Sequence, residues 1–139
     1  MTSIGFGTWA WGNKSLWGYN PRKDDQELEA TFNTAIKYGL TLIDTADSYG
    51  IAQLNGRSEK LLGTYLKKLS SLQASKLTIA TKLAPYPWRI GRKGFVNAFK
   101  DSCDASVMKS TGFVVSEYPS FTVYLEDDTF GKIDLYRLN

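Results

Sequence analysis

One hundred and thirty-nine residues give room for one ordinary domain, and 42% hydrophobic with 22% charged residues is a globular composition. A net charge of +3 is too small to argue for a nucleic-acid or membrane partner. Cys103 is the only cysteine and histidine is absent, which excludes an intramolecular disulfide, Ser-His-Asp and Cys-His catalysis, and His-rich zinc sites; no metal site is expected.

Residues 3–12, SIGFGTWAWG, place Ile4, Phe6 and Thr8 on one phase and Gly5 and Gly7 on the other, predicting a strand with a close-approach glycine face. Residues 13–23 read as loop, broken by Gly18, Asn20 and Pro21. Asp24 or Asp25 offers an N-cap, and Leu28, Phe32, Ala35 and Ile36 at helical spacing predict a helix ending at Gly39. Residues 40–46, LTLIDTA, predict a strand buried on both faces. Ser58 can cap a second helix with an apolar stripe of Leu61, Leu62, Tyr65, Leu66 and Leu69. Residues 77–83, LTIATKL, predict a third buried strand, and a third helix over 93–104 puts Phe95, Val96, Phe99 and Cys103 on one side. From about Ser106 the texture changes, with three basic and five acidic residues and no tryptophan. Phe121, Val123 and Leu125 alternate like a half-exposed strand, and 132–138, KIDLYRL, predicts another buried one.

Strand-helix alternation over 3–104 points to an α/β fold with a parallel sheet and right-handed crossovers. The open doubly wound sheet and the eight-stranded barrel both use it. No G-x-G-x-x-G opens the first helix and no G-x-x-x-x-G-K-[ST] occurs, so the Rossmann and P-loop readings lose their main support.

Two charges stand in otherwise apolar strands, Asp44 in LTLIDTA and Lys82 in LTIATKL. Desolvation makes an unpaired buried charge costly, and neighbouring parallel strands end on one edge, so the two are expected to meet there. Tyr49 follows Asp44 by five residues, on the loop leaving that edge. A phenol beside an ammonium can act as a general acid, protonating a carbonyl oxygen while another agent supplies hydride. The bland alternative is an ordinary Asp-Lys ion pair with a bystander tyrosine. Trp9, Trp11, Trp17 and Trp88 also raise a sugar- or base-stacking surface, against which packing and cofactor-pocket roles are preferred. Arg89, Arg92 and Lys93 read as a solvated basic loop.

GFGTWAWGN at 5–13, DTADSYG at 44–50, LNGRSEKLLG at 54–63 and TIATKLAPYPWR at 78–89 resemble the aldo-keto reductases, most closely the plant and cyanobacterial type. The resemblance implies a (β/α)8 barrel of which this chain offers the first three to four units, residues 1–105, followed by a divergent tail, 106–139. It implies NADP(H)-dependent reduction of small carbonyl substrates, with Tyr49 as proton donor, Lys82 beside it and Asp44 orienting Lys82. Thr8 and Trp9 match the segment against the nicotinamide half of the cofactor, with Asp44 beside it. Asn139 falls where the family's histidine closes strand four in I-D-L-Y-x-L-H, and some members carry asparagine there. Arg57, Ser58 and Glu59 match a family motif but read as loop and cap residues. A barrel takes about 250 residues, so a non-catalytic form associating through its open sheet edges is the rival expectation. Several plant-type members are plastid proteins, and no transit-peptide-like or signal segment precedes the first strand; plastid and cytoplasm both remain expectations.

Overall fold

Three short runs, Gly5–Gly7 (β1), Leu42–Asp44 (β2) and Thr78–Ala80 (β3), lie side by side in the computed structural model as a parallel sheet in the order β1-β2-β3. The structure describes residues 4–50, 56–84 and 86–106, and the backbone of two further strands, Thr122–Tyr124 (β4) and Asp134–Tyr136 (β5). Phe6 pairs with Ile43 and Ile43 with Ile79, so these three share one face while Gly5, Gly7, Leu42, Asp44 and Ala80 share the other. The first face holds the core. There Ile43 and Ile79 pack with Phe32 and Leu62, each fully buried, and with Trp11 and Tyr65. The second face is uncovered among the described residues, with Leu42 36% exposed. Helices on one side and a bare opposite face are the layout of a segment of barrel wall.

The connecting helices are set by caps that differ in part from those expected. Lys14–Trp17 (α1) is a single turn inside the expected loop; Asn13 Oδ1 accepts the Leu16 N–H at 3.0 Å and Gly18 closes it at φ 64°. Pro21–Lys37 (α2) begins before the acidic pair. Asn20 is its cap, accepting the Arg22 N–H at 3.1 Å, and Pro21 opens it. Proline has no N–H to leave unsatisfied at this position and its fixed φ suits the first turn, so a residue read as a breaker is a starter. At the far end Gly39 takes φ 81°, its N–H donating to Ile36 O and that of Leu40 to Ala35 O, the double bond of a Schellman stop.

Arg57–Leu66 (α3) starts from Gly56, not from a Ser58 cap, and ends short of Leu69. Ser71–Ala74 (α4) follows, with Ser70 and Gln73 forming a capping box. Gly91–Ser106 (α5) packs on α3, and the bare Cα of Gly63 permits it: a Cβ there would stand 2.1 Å from Ala105 O. Leu83, Ala98, Phe95 and Phe99 make a smaller apolar cluster under α5.

A strand is present at 134–136 as expected, but it pairs antiparallel with β4 in a separate two-stranded sheet. A fourth barrel strand would instead lie parallel beside β3. No helix among the described residues is long and apolar enough to cross a membrane.

Candidate active site

Asp44 is the last residue of β2 and pairs with Ala80 on β3. Alternation puts Lys82, two residues on, on the same face as Ala80 and one step beyond the strand. The Lys82 ammonium therefore reaches back across the rim, donating to Asp44 Oδ1 at 2.6 Å and to Thr45 O at 3.0 Å. Tyr49 comes from the loop between β2 and α3, and its ring centroid lies 5.0 Å from Lys82 Nζ. The sheet thus brings the expected trio together at the carboxyl ends of its strands.

The Lys82 side chain is 14% exposed and that of Asp44 51%. Burial works against the ammonium, but its hydrogen bonds to Asp44 and Tyr49 outweigh that and hold its pKa above the ordinary lysine value. A fixed cation beside a phenol, anchored by a half-open carboxylate, can stabilise the oxygen left when the phenol gives up its proton.

Behind the rim lies a buried polar layer, formed by residues expected in loop and cap positions. Ser58 is fully buried, its Oγ 3.0 Å from Thr8 O and 2.7 Å from Thr8 Oγ1, tying α3 to the end of β1. Glu59 is 2% exposed and accepts from Thr81 Oγ1 at 2.5 Å. Burial pushes its carboxyl up to about 7, against the opposing hydrogen bonds from Thr81 and Ser102. Arg57 donates from Nη2 to Tyr19 Oη at 3.2 Å, and Tyr19 in turn bonds Asp25. Arg89 is not a solvated loop residue: it pairs with buried Asp47 and donates to Ala84 O at 2.6 Å. The signal in the sequence is the G-R-S-E string at 56–59 and the second aspartate, Asp47, of the D-T-A-D run.

The two strand-one residues part company. Thr8 follows Phe6 on the core side; its hydroxyl donates to Asp44 O at 3.2 Å and accepts from Ser58. Trp9 follows Gly7 to the open side, 53% exposed, with its ring edge-on to Trp17 at 5.9 Å. The four tryptophans do not form one stacking surface: Trp11 is buried in the core, and Trp88 stacks on Tyr86 at 4.8 Å. Asn139 and the 107–121 stretch lie outside the described residues.

As a cofactor seat, the rim presents the exposed Trp9 indole and the half-open Asp44 carboxylate, and a Cβ at Gly7 would still stand 3.9 Å from Asp44 Oδ2. A flat ring bearing hydroxyl or amide donors fits that opening. Lys82 and Arg89 are paired with Asp44 and Asp47, so neither is left for a dinucleotide's phosphates.

Residues 3–134 match the family model described as "Aldo/keto reductase family". The chain is 49% identical over 106 residues to a chloroplastic pyridoxal reductase of Arabidopsis thaliana, covering 75% of this chain and 29% of that protein. It is 32% identical over 109 residues to a methylglyoxal reductase of Escherichia coli, covering 78% of this chain and 31% of that one. A crystal structure of a thermostable aldo-keto reductase with the inhibitor epalrestat superposes with a TM-score of 0.66 at 25% identity, covering 86% of this chain and 39% of that one. An aldo-keto reductase of Klebsiella pneumoniae in complex with NADPH matches at a TM-score of 0.62 and 23% identity over 84% of this chain and 35% of that one. The chain spans about a third of the length of these relatives.

Proposed function

Since the chain belongs to the aldo/keto reductase family, we propose that it carries the proton-transfer corner of an NADP(H)-dependent carbonyl reductase. The observation that bears most weight is the Lys82–Asp44 contact of 2.6 Å with the Tyr49 ring beside it. In this reading Tyr49 Oη gives its proton to the carbonyl oxygen of a small substrate. Lys82 stabilises the resulting tyrosinate without moving, because Asp44 and Thr45 O already hold it. When bound, the reduced nicotinamide supplies the hydride that completes the alcohol. Trp9 and Asp44 are the residues that would receive the nicotinamide half. Thr8 would contribute backbone and shape, its hydroxyl being committed to Asp44 O and Ser58; Asn139, matched by the family resemblance alone, is assigned no contact here.

Pyridoxal is the first aldehyde to try, given the 49% identity to a pyridoxal reductase, and that relative's chloroplastic name favours plastid over cytoplasm. NADPH oxidation in the presence of pyridoxal should be measurable and should fall by about a hundredfold or more in Tyr49→Phe. Turnover unchanged in Tyr49→Phe would remove the assignment.

The bare sheet face carrying Gly5, Gly7 and exposed Leu42 favours a second reading, in which the chain works through association with protein and not through turnover. Light scattering during gel filtration separates the two: an oligomer indifferent to NADPH supports association, and a monomer that turns over pyridoxal supports the enzyme.

A further inference from the structure

Asp47 stands in sequence between Asp44 and Tyr49 and is 8% exposed. Its backbone N–H donates to Lys82 O at 3.0 Å, and its Oδ1 accepts the Ala84 N–H at 3.0 Å. Its other oxygen pairs with Arg89, whose Nη1 also donates to Ala84 O at 2.6 Å. Arg89 is itself 14% exposed and lies over the Tyr86 ring at 4.9 Å. Asp47 thus joins the loop that carries Tyr49 to the segment just after Lys82, its backbone N–H on Lys82 O and its carboxylate on the Ala84 N–H and on Arg89. Burial pushes the Asp47 carboxyl up, while the Ala84 N–H and Arg89 draw it down. Apart from the Lys82–Tyr49 contact itself, the described side-chain contacts between the 46–49 turn and residues 82–84 run through Asp47.

We propose that the buried Asp47–Arg89 pair is the positioning device that sets the Tyr49 hydroxyl against the Lys82 ammonium. The role rests on the reductase reading above for its meaning, but it concerns only residues of this chain. Asp47 and Arg89 touch neither substrate nor cofactor in this scheme; they act through the loop. Loosening the pair lets Tyr49 drift from Lys82 while the Asp44–Lys82 contact, made by the strands, survives.

The test uses the full chain with tyrosine isotopically labelled at ring Cζ, the Tyr49 signal being identified by its loss in Tyr49→Phe. Lys82→Met supplies the reference position for a Tyr49 without its ammonium. In Arg89→Met and in the near-isosteric Asp47→Asn, the Tyr49 signal is expected to move most of the way toward that reference. In the same variants kcat with NADPH and pyridoxal should drop by on the order of tenfold to a hundredfold with KM little changed. A Tyr49 signal that stays at its wild-type position in folded Arg89→Met and Asp47→Asn overturns the proposal. So does a wild-type signal indifferent to Lys82→Met, or loss of the cooperative fold in both pair variants, which would make the pair a general staple. A wild type without turnover defeats the reductase reading alone, and the spectroscopic arm then decides the positioning role.

Discussion

Replacing Glu59 by glutamine tests the buried polar layer directly. Glu59 is 2% exposed, and its carboxyl sits at about 7 where an ordinary glutamate has 4.5. The folded chain therefore holds a proton on Glu59 that the unfolded chain has already released. A raised pKa of this kind contributes stability that is complete below 4.5 and is lost as pH rises through about 7. At about 1.4 kcal/mol per pH unit, the loss across that window is about 3 kcal/mol. Glutamine keeps the shape and stays neutral, so this component of the pH dependence vanishes in Glu59→Gln. Asp47, also pushed up by burial, remains in both proteins and cancels in the comparison. Urea unfolding at intervals from pH 5 to pH 8 should show wild type losing stability relative to Glu59→Gln by on the order of 3 kcal/mol. Parallel profiles would refute the reasoning and mean that Thr81, Ser102 and Arg89 keep the carboxylate charged at ordinary cost.

Two further substitutions probe how α3 is seated. Gly63→Ala would drive a Cβ to 2.1 Å from Ala105 O, so separation of α3 from α5 and a loss of about 1–3 kcal/mol are expected in urea unfolding; an unchanged midpoint would show that α5 is not packed this closely. Ser58→Ala removes the hydroxyl that meets Thr8 O and Thr8 Oγ1, and about 1–3 kcal/mol should go with it because Thr8 is fully buried. Its amide-exchange protection should fall at Thr8 ahead of Phe32, and equal protection at both would count against a tie to the strand end.

Leu28, Phe32 and Ile36 on α2 and Leu61, Leu62 and Tyr65 on α3 were readable as helix stripes because burial on one side imposes helical spacing whatever lies beneath. The Asp44–Lys82 meeting was readable for a related reason: a charge in an apolar strand requires a partner, and parallel strands end on one rim. The helix starts were not. Asn20 and Asp24 both carry capping side chains, and the helix uses Asn20 with Pro21 behind it. Ser58 illustrates the same limit, since a serine at a helix start serves equally as cap or as tie, and the proximity of Thr8 makes it a tie.

The spacing of apolar residues and the two stranded charges by themselves determined a parallel α/β wall and the trio on its edge, because periodicity and desolvation are properties of the chain. Which face of that wall is bare, that Glu59 is buried and Arg89 paired with buried Asp47, and that residues 134–136 turn to β4 and not to β3 were decided only by the tertiary structure. Burial of a charge depends on which distant segment arrives to pair with it, and strand partnership on which edge is within reach; neither is written in local sequence.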